Sequence, residues 1–229
     1  MTSRTDVLRE LNLLPVWQLR RSRRTDVSDD ISTDVDARRS RIAALKFDAL
    51  IEDIGGCTAC PLCKTRRMTV PGVGDLRAQW MFVGEAPGAD EDAQGEPFVG
   101  AAGQLLDNML AALGLARAEN VYIANVLKCR PPNNRTPEPG EALACAPYLD
   151  RQIELIAPRL IVALGRSAAC RLLATDAPVS SLRNRVHRYR GTPLIVTYHP
   201  AYLLRTPADK AKAWEDLLFA RRTLGDTAA

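Results

Sequence analysis

Three of the six cysteines stand at Cys57-x2-Cys60-x2-Cys63, and the others follow at Cys129, Cys145 and Cys170. Thiolates at two-residue spacing can ligate one metal site from a single turn of chain. The run lacks the fourth Cys followed by Pro that would complete a local iron–sulfur motif. A four-ligand site must therefore recruit from Cys129, Cys145 or Cys170, and thiolates suit zinc as well as an iron–sulfur cluster. Cys170, among Ala168, Ala169, Leu172 and Leu173, reads as a buried thiol.

Further stretches carry polar or aromatic groups that could do chemistry. Gly84-Glu85-Ala86-Pro87-Gly88 lacks the Lys and Ser/Thr of a P-loop and the glycine spacing of a dinucleotide fingerprint. Its glycines permit a sharp turn with backbone N–H groups facing a ligand, and Glu85 could bind or polarise a substrate. The neighbouring acids Asp90, Glu91 and Asp92 fit either a surface loop or the positioning of a water. In Gly95-Glu96-Pro97-Phe98-Val99-Gly100 the aromatic ring fits a core position or, between glycines that let a flat ligand approach, a stacking platform for a base. Asn125 and His199, one of only two histidines, add an amide and an imidazole. His199 reads either as a hydrogen-bonded structural residue or as a group that stabilises charge developing on a substrate. The other histidine lies in the basic run Arg183 to Arg190, which could track phosphates or form a solvated hairpin.

The elements that must position these groups are legible as four continuous apolar, β-prone runs: Trp80 to Val83, Val121 to Ala124, Leu160 to Leu164 and Leu194 to Tyr198. Helical spacing links them, through Leu105, Leu106, Met109, Leu110 and Leu113 with Gly114 as a stop, then Glu141 to Ile156, Ser167 to Ala174 and Ala208 to Leu224. The alternation predicts an α/β single domain whose central four-stranded parallel sheet is flanked by helices on both faces. In such sheets the functional crevice lies beyond the carboxyl ends of the strands. Glu85, Asn125, the turn Gly165-Arg166-Ser167 and His199-Pro200 all stand at strand ends, so topology gathers them on one rim.

The chain of 229 residues is 46% hydrophobic and 25% charged, enough for a proper core. No apolar run is long enough to span a membrane, and the first residues lack a signal peptide's apolar stretch, so a cytoplasmic protein with no membrane association is expected. Residues 1–45 carry 9 basic and 7 acidic side chains of the total 31 and 27, which leaves 22 and 20, so each part is +2. The net +4 permits a polyanionic partner without demanding one. Residues 1–45 read as an N-terminal extension: two weakly amphipathic pieces (Val7 to Leu14, Val16 to Leu19), the arginine run Arg20 to Arg24, and a solvated linker from Asp26 to Asp36. A folded domain over 46–225 and a tail over 226–229 complete the expected organisation.

Together these pieces resemble the family-four uracil-DNA glycosylases, the iron–sulfur branch of the uracil-DNA glycosylase superfamily. The resemblance covers about residues 46–224. It rests on Gly84 to Gly88 with Pro97-Phe98-Val99-Gly100, on Asn125-Val-Leu-Lys128-Cys129-Arg130-Pro131-Pro132 with Asn134-Arg135-Thr136-Pro137, and on His199-Pro200-Ala201-Tyr202-Leu203-Leu204-Arg205. Any one of these is weak; three in order, with the cysteine spacing, are specific.

The resemblance implies a [4Fe-4S] cluster on Cys57, Cys60, Cys129 and Cys145, which staples the domain and leaves Cys63 outside the set. It places Glu85, with Gly84 and Ala86, in the motif that positions uracil and assists attack by water, and offers Glu91 as a second acid for that water. Phe98 matches the ring on which the flipped base stacks, Asn125 the amide that reads the pyrimidine edge, and His199 the imidazole that holds uracil O2. Leu203 and Arg205 belong to a segment that enters the DNA minor groove, and Pro131 and Arg135 to a loop held against DNA. The implied activity is excision of uracil from single- or double-stranded DNA by a monofunctional glycosylase of base excision repair, acting as a monomer. A patch at Leu14-Pro15-Val16-Trp17 could engage a repair or replication partner. The competing reading is a non-catalytic iron–sulfur or zinc module that recognises uracil-containing DNA without turnover.

Overall fold

A computed structural model describes Glu10 and residues 27–226. The amphipathic pieces before residue 20, the Leu14–Trp17 patch and the arginine run Arg20 to Arg24 lie outside the described residues. The first described element is a helix, α1 (Val27–Ala43). The solvated-linker reading therefore gives way over this stretch. Its polar, non-periodic composition hides a helix because Asp, Ser and Thr are only mildly unfavourable in helices and carry no apolar stripe. The compact unit Arg39–Ala229 holds the sheet and its covering helices. Within it Ile42, at the end of α1, is fully buried, as are Leu50 and Ile54 of α2 (Phe47–Gly56).

The sheet has six strands rather than the expected four. They are β1 (Val73–Gly74), β2 (Trp80–Gly84), β3 (Val121–Asn125), β4 (Leu160–Leu164), β5 (His187–Tyr189) and β6 (Thr192–Thr197), in the order β1-β3-β2-β4-β6-β5. The four inner strands are the expected ones and are parallel. The two additions are antiparallel edges of two and three residues. Strands that short carry no period to read, and half-exposed edges lack the apolar signature of the interior. The basic run is thereby placed in a hairpin at an edge, where Arg183 Nε donates to Asp216 at 2.7 Å and Arg190 Nη2 to Asp150 at 2.9 Å.

Alternation along the buried strands serves both faces. Met81, Val83, Ile161 and Ala163 point to one side, under α5 (Pro139–Ile156) and α6 (Arg166–Leu173). Trp80, Phe82, Leu160 and Val162 point to the other, with Leu106 and Leu110 of α4 (Ala101–Ala112) and Leu217 and Ala220 of α9 (Lys210–Asp226). Phe82 is fully buried, and its truncation to Ala would cost about 3–5 kcal/mol. Short helices α3 (Ala89–Gln94), α7 (Val179–Leu182) and α8 (Pro200–Arg205) complete the unit. The sheet is thus a rigid comb whose teeth end, on one edge, in Gly84, Asn125, Leu164 and Thr197.

Candidate active site

β2 and β3 end in register, Gly84 opposite Asn125. Beyond them Val126 N–H donates to the Gly84 carbonyl at 3.0 Å and Leu127 N–H to that of Glu85 at 3.1 Å, so the ladder continues past the strands and fixes the direction of both exits. The Lys128 ammonium, almost fully buried, donates to the Asn125 carbonyl at 2.8 Å. A cleft of about 440 Å³ opens there, lined among others by Glu85, Ala86, Glu91, Phe98, Asn125, Pro131, Arg135, His199 and Arg205. Nine of the eleven residues assigned to catalysis, base binding or DNA thus border one cavity. Gly84 packs directly against two of these lining residues: a Cβ there would fall 2.4 Å from Asn125 Oδ1 and 2.6 Å from Phe98 Cζ.

Leu203 is the exception. It is 1% exposed and sits inside, whereas the neighbouring Leu204 is 43% exposed. A side chain sealed in the core cannot reach a DNA groove, so Leu203 does not meet that expectation, and the leucine that α8 exposes is Leu204. The two residues are adjacent in a helix, and only the packing of α8 decides which one faces out.

Phe98 adopts a left-handed backbone, φ 58°, a conformation that costs a bulky residue about 1–3 kcal/mol. The surroundings hold it there. Arg117 Nη1 donates to the Pro97 carbonyl at 2.7 Å and Nη2 donates to the Phe98 carbonyl. Glu91 Oε1 accepts from Val99 N–H at 3.0 Å and from Gly100 N–H at 3.3 Å, while Oε2 accepts from Gly88 N–H at 3.0 Å. Helix α4 seats against the same peptide, since a Cβ on Gly103 would overlap the Phe98 carbonyl. The ring then lies 5.5 Å from that of His199, at 29°. Glu91, expected to handle water, has both oxygens engaged by backbone N–H groups and acts as the clamp between the Gly88 turn and the Phe98 loop. By contrast, no described residue donates to the Glu85 carboxylate, which borders this cleft and a second of about 450 Å³.

His199 caps α8, its Nδ1 accepting from Ala201 N–H at 3.1 Å. Nδ1 therefore carries a lone pair and the ring proton sits on Nε2. Loss of solvent, reinforced by the nearby Arg205 cation and opposed by Glu91, lowers its pKa to about 4. The imidazole is neutral at physiological pH and still a donor. Gly165, φ +86°, admits it, since a Cβ there would fall 2.8 Å from His199 Cβ. The Asn125 side-chain oxygen is buried without a hydrogen-bond partner among the described residues. An orphan acceptor of this kind costs about 1–3 kcal/mol, and it lies on the wall of the cleft. Arg135 is bidentate on Glu141, at 2.6 and 2.9 Å.

The cysteines surround a separate cavity. Cys57, Cys60, Cys129 and Cys145 line it with Ile54, Leu62, Leu127 and Tyr148, and neither Cys63 nor Cys170 does. Cys170 is half-buried on the wall of the second cleft, not enclosed as its apolar neighbours suggest, because the helix face it occupies opens to that cleft. Arg66 Nη1 donates to Cys129 Sγ at 3.1 Å, and Lys128 N–H to Cys145 Sγ at 3.3 Å. Burial raises the Cys60 and Cys129 thiols and pushes Cys145 up to about 12. Among the described residues no three His, Cys, Asp or Glu side chains converge closely enough to hold a single metal ion. Four thiols border this one cavity, with N–H donors aimed at two of the sulfurs, a donor set whose chemistry suits thiolate ligation.

Sequence reading missed the roles of Arg117, which the fold brings to the Pro97 and Phe98 carbonyls and to Asp107, and of Lys128, which bonds a carbonyl only three residues back. The uracil DNA glycosylase superfamily matches residues 71–218 of this chain. Similar proteins include the Type-4 uracil-DNA glycosylase of Archaeoglobus fulgidus, 49% identical over 70% of this chain and 84% of that protein. Those of Pyrobaculum aerophilum and Thermotoga maritima are each 46% identical, over 76% and 72% of this chain and 92% and 87% of their own lengths. With the strand-end cleft and these relatives agreeing, the chain belongs to the uracil-DNA glycosylase superfamily.

Proposed function

We propose that this protein is a Type-4 uracil-DNA glycosylase that hydrolyses the N-glycosidic bond of deoxyuridine in single- or double-stranded DNA, as a cytoplasmic monomer of base excision repair. The observation that carries this reading is the convergence of an unpartnered buried Asn125 oxygen, a neutral His199 donor and the Phe98 ring on one cleft. Uracil's edge presents an N3–H donor between two carbonyl acceptors. Asn125 Oδ1 accepts from N3–H and its amide donates to O4, whereas cytosine reverses the donor and acceptor at those positions. A base stacked in duplex must first be extruded, at a cost of a few kcal/mol, which stacking on Phe98 offsets.

Cleavage leaves the C1′–N1 electron pair on uracil, where it delocalises onto O2. His199 Nε2–H donates to that oxygen as charge grows. A donor aimed in this way contributes about 3–4 kcal/mol to the transition state. Because the imidazole is neutral, it binds the uracil anion without giving up its proton. The sugar becomes oxocarbenium-like, and the Glu85 carboxylate stabilises it and takes a proton from the water that attacks C1′. Arg135, Arg205 and the exposed Leu204 stand at the cleft or beside it, where the DNA backbone would run.

Cys57, Cys60, Cys129 and Cys145 would hold a [4Fe-4S] cluster, and the cavity they share, with two sulfurs accepting hydrogen bonds, supports that assignment. When bound, it supplies a staple between the segment at 57–60 and the chain leaving β3, whose thiols must lose their protons to ligate. The test is incubation with an oligonucleotide carrying one deoxyuridine, then treatment with alkali. Strand scission that His199→Ala slows about 10²–10³-fold supports the enzyme; tight binding without scission would establish the non-catalytic module instead.

A further inference from the structure

We propose that Arg117 is a positioning residue for the base platform: its guanidinium holds the Phe98 loop in the left-handed conformation that presents the ring to a flipped pyrimidine. The inference rests on the proposed uracil cleft. The Phe98 peptide is gripped from two sides. A cation takes its carbonyls, Arg117 Nη1 on Pro97 at 2.7 Å and Nη2 on Phe98. An anion takes the next two amides, Glu91 on Val99 at 3.0 Å and Gly100 at 3.3 Å. The third guanidinium position, Nε, is fixed on Asp107 of α4 at 2.5 Å. All three edges of the fork are thus engaged, which orients a planar group in a way an ammonium cannot.

Loss of solvent around the two carbonyls makes these charge-assisted bonds the counterweight to the φ of 58° at Phe98. Arg117 does not reach the cleft; it acts only through the loop. Without it the chain at 97–98 relaxes toward an extended backbone and the ring leaves its place 5.5 Å from His199.

The test uses the full chain in four forms: wild type, Arg117→Gln, Phe98→Ala and the double variant, each assayed on the deoxyuridine oligonucleotide. Arg117→Gln is expected to lower kcat/KM about tenfold, the loss of one base–aromatic stack. In the Phe98→Ala background the same change is expected to cost less than about twofold, because coupled residues are not additive. Arg117→Lys restores part of the loss. Hydrogen exchange reads the loop without reference to activity: the Val99 and Gly100 amides lose protection in Arg117→Gln. Equal losses in both backgrounds, or unchanged exchange at those amides, overturn the proposal. If Arg117→Gln does not fold, Asp107→Asn removes only the half-exposed brace and is expected to show a smaller loss of the same kind; no change with Asp107→Asn and with Arg117→Lys also overturns it. A wild-type protein that releases no uracil defeats the functional reading instead, while the exchange result still decides the role of Arg117.

Discussion

Gly84 and Asn125 face each other across the β2–β3 ladder, and the space a Cβ would need at Gly84 is taken by the Asn125 amide oxygen, 2.4 Å away, and the Phe98 ring. The missing side chain lets the Asn125 amide and the Phe98 ring approach each other at one side of the cleft. Gly84→Ala is therefore expected to displace both, lowering uracil excision by about 10²–10³-fold and destabilising the fold by about 1–3 kcal/mol through overpacking. Single-turnover kinetics and thermal melting check the two effects, and wild-type excision by the variant would refute the assigned geometry.

The neutral state of His199 predicts an unusual pH response. Its free value lies near 6.5, while burial brings the native ring to about 4. Between these limits the unfolded chain binds more protons than the native one, so this residue's contribution to stability rises with pH and is complete above about 6.5. It is lost as pH falls toward 4. The imidazole C–H resonances of His199 should stay at their neutral positions from about pH 8 to about pH 5; a midpoint near 6.5 would contradict the assignment. His199→Ala should lower the excision rate about 10²–10³-fold with little change in DNA affinity.

Phe98→Ala should weaken capture of the flipped base by about 1–3 kcal/mol. The readout is the enzyme concentration that half-saturates a single turnover on deoxyuridine DNA. An unchanged value would place the base elsewhere in the cleft.

Cys145→Ser and Cys63→Ser separate ligand from bystander. Only the former lines the thiol-bounded cavity. Cys145→Ser should lose bound iron and the visible absorbance of the purified protein, whereas Cys63→Ser should keep both. A colourless wild-type protein with stoichiometric zinc would overturn the cluster assignment.

The α8 leucines are separated in the same way. Leu204→Ala should weaken affinity for duplex DNA while leaving the melting temperature nearly unchanged, since the side chain is exposed. Leu203→Ala should cost about 2–5 kcal/mol of stability as a core truncation. Equal effects on both measurements would show that the helix does not pack as described.

The four inner strands and the ends that carry Glu85, Asn125, Gly165 and His199 are legible in the sequence. Buried parallel strands announce themselves as continuous apolar runs, and the crevice rule then puts the residues at their carboxyl ends on one rim. Cysteine spacing limits the ligand choices in the same local way. The letters do not decide any property that depends on partners distant along the chain. Leu203 and Leu204 are the same residue type one position apart, and packing alone turns one inward and the other out. Glu91 reads as a free acid until three backbone N–H groups from Gly88, Val99 and Gly100 occupy it. Arg117 is an ordinary basic residue until the fold brings it to the carbonyls of Pro97 and Phe98, twenty positions back at most. A sequence determines periodicity and local chemistry because those are properties of neighbours; hydrogen-bond satisfaction, desolvation and strain are properties of three-dimensional enclosure, and these only the tertiary structure could settle.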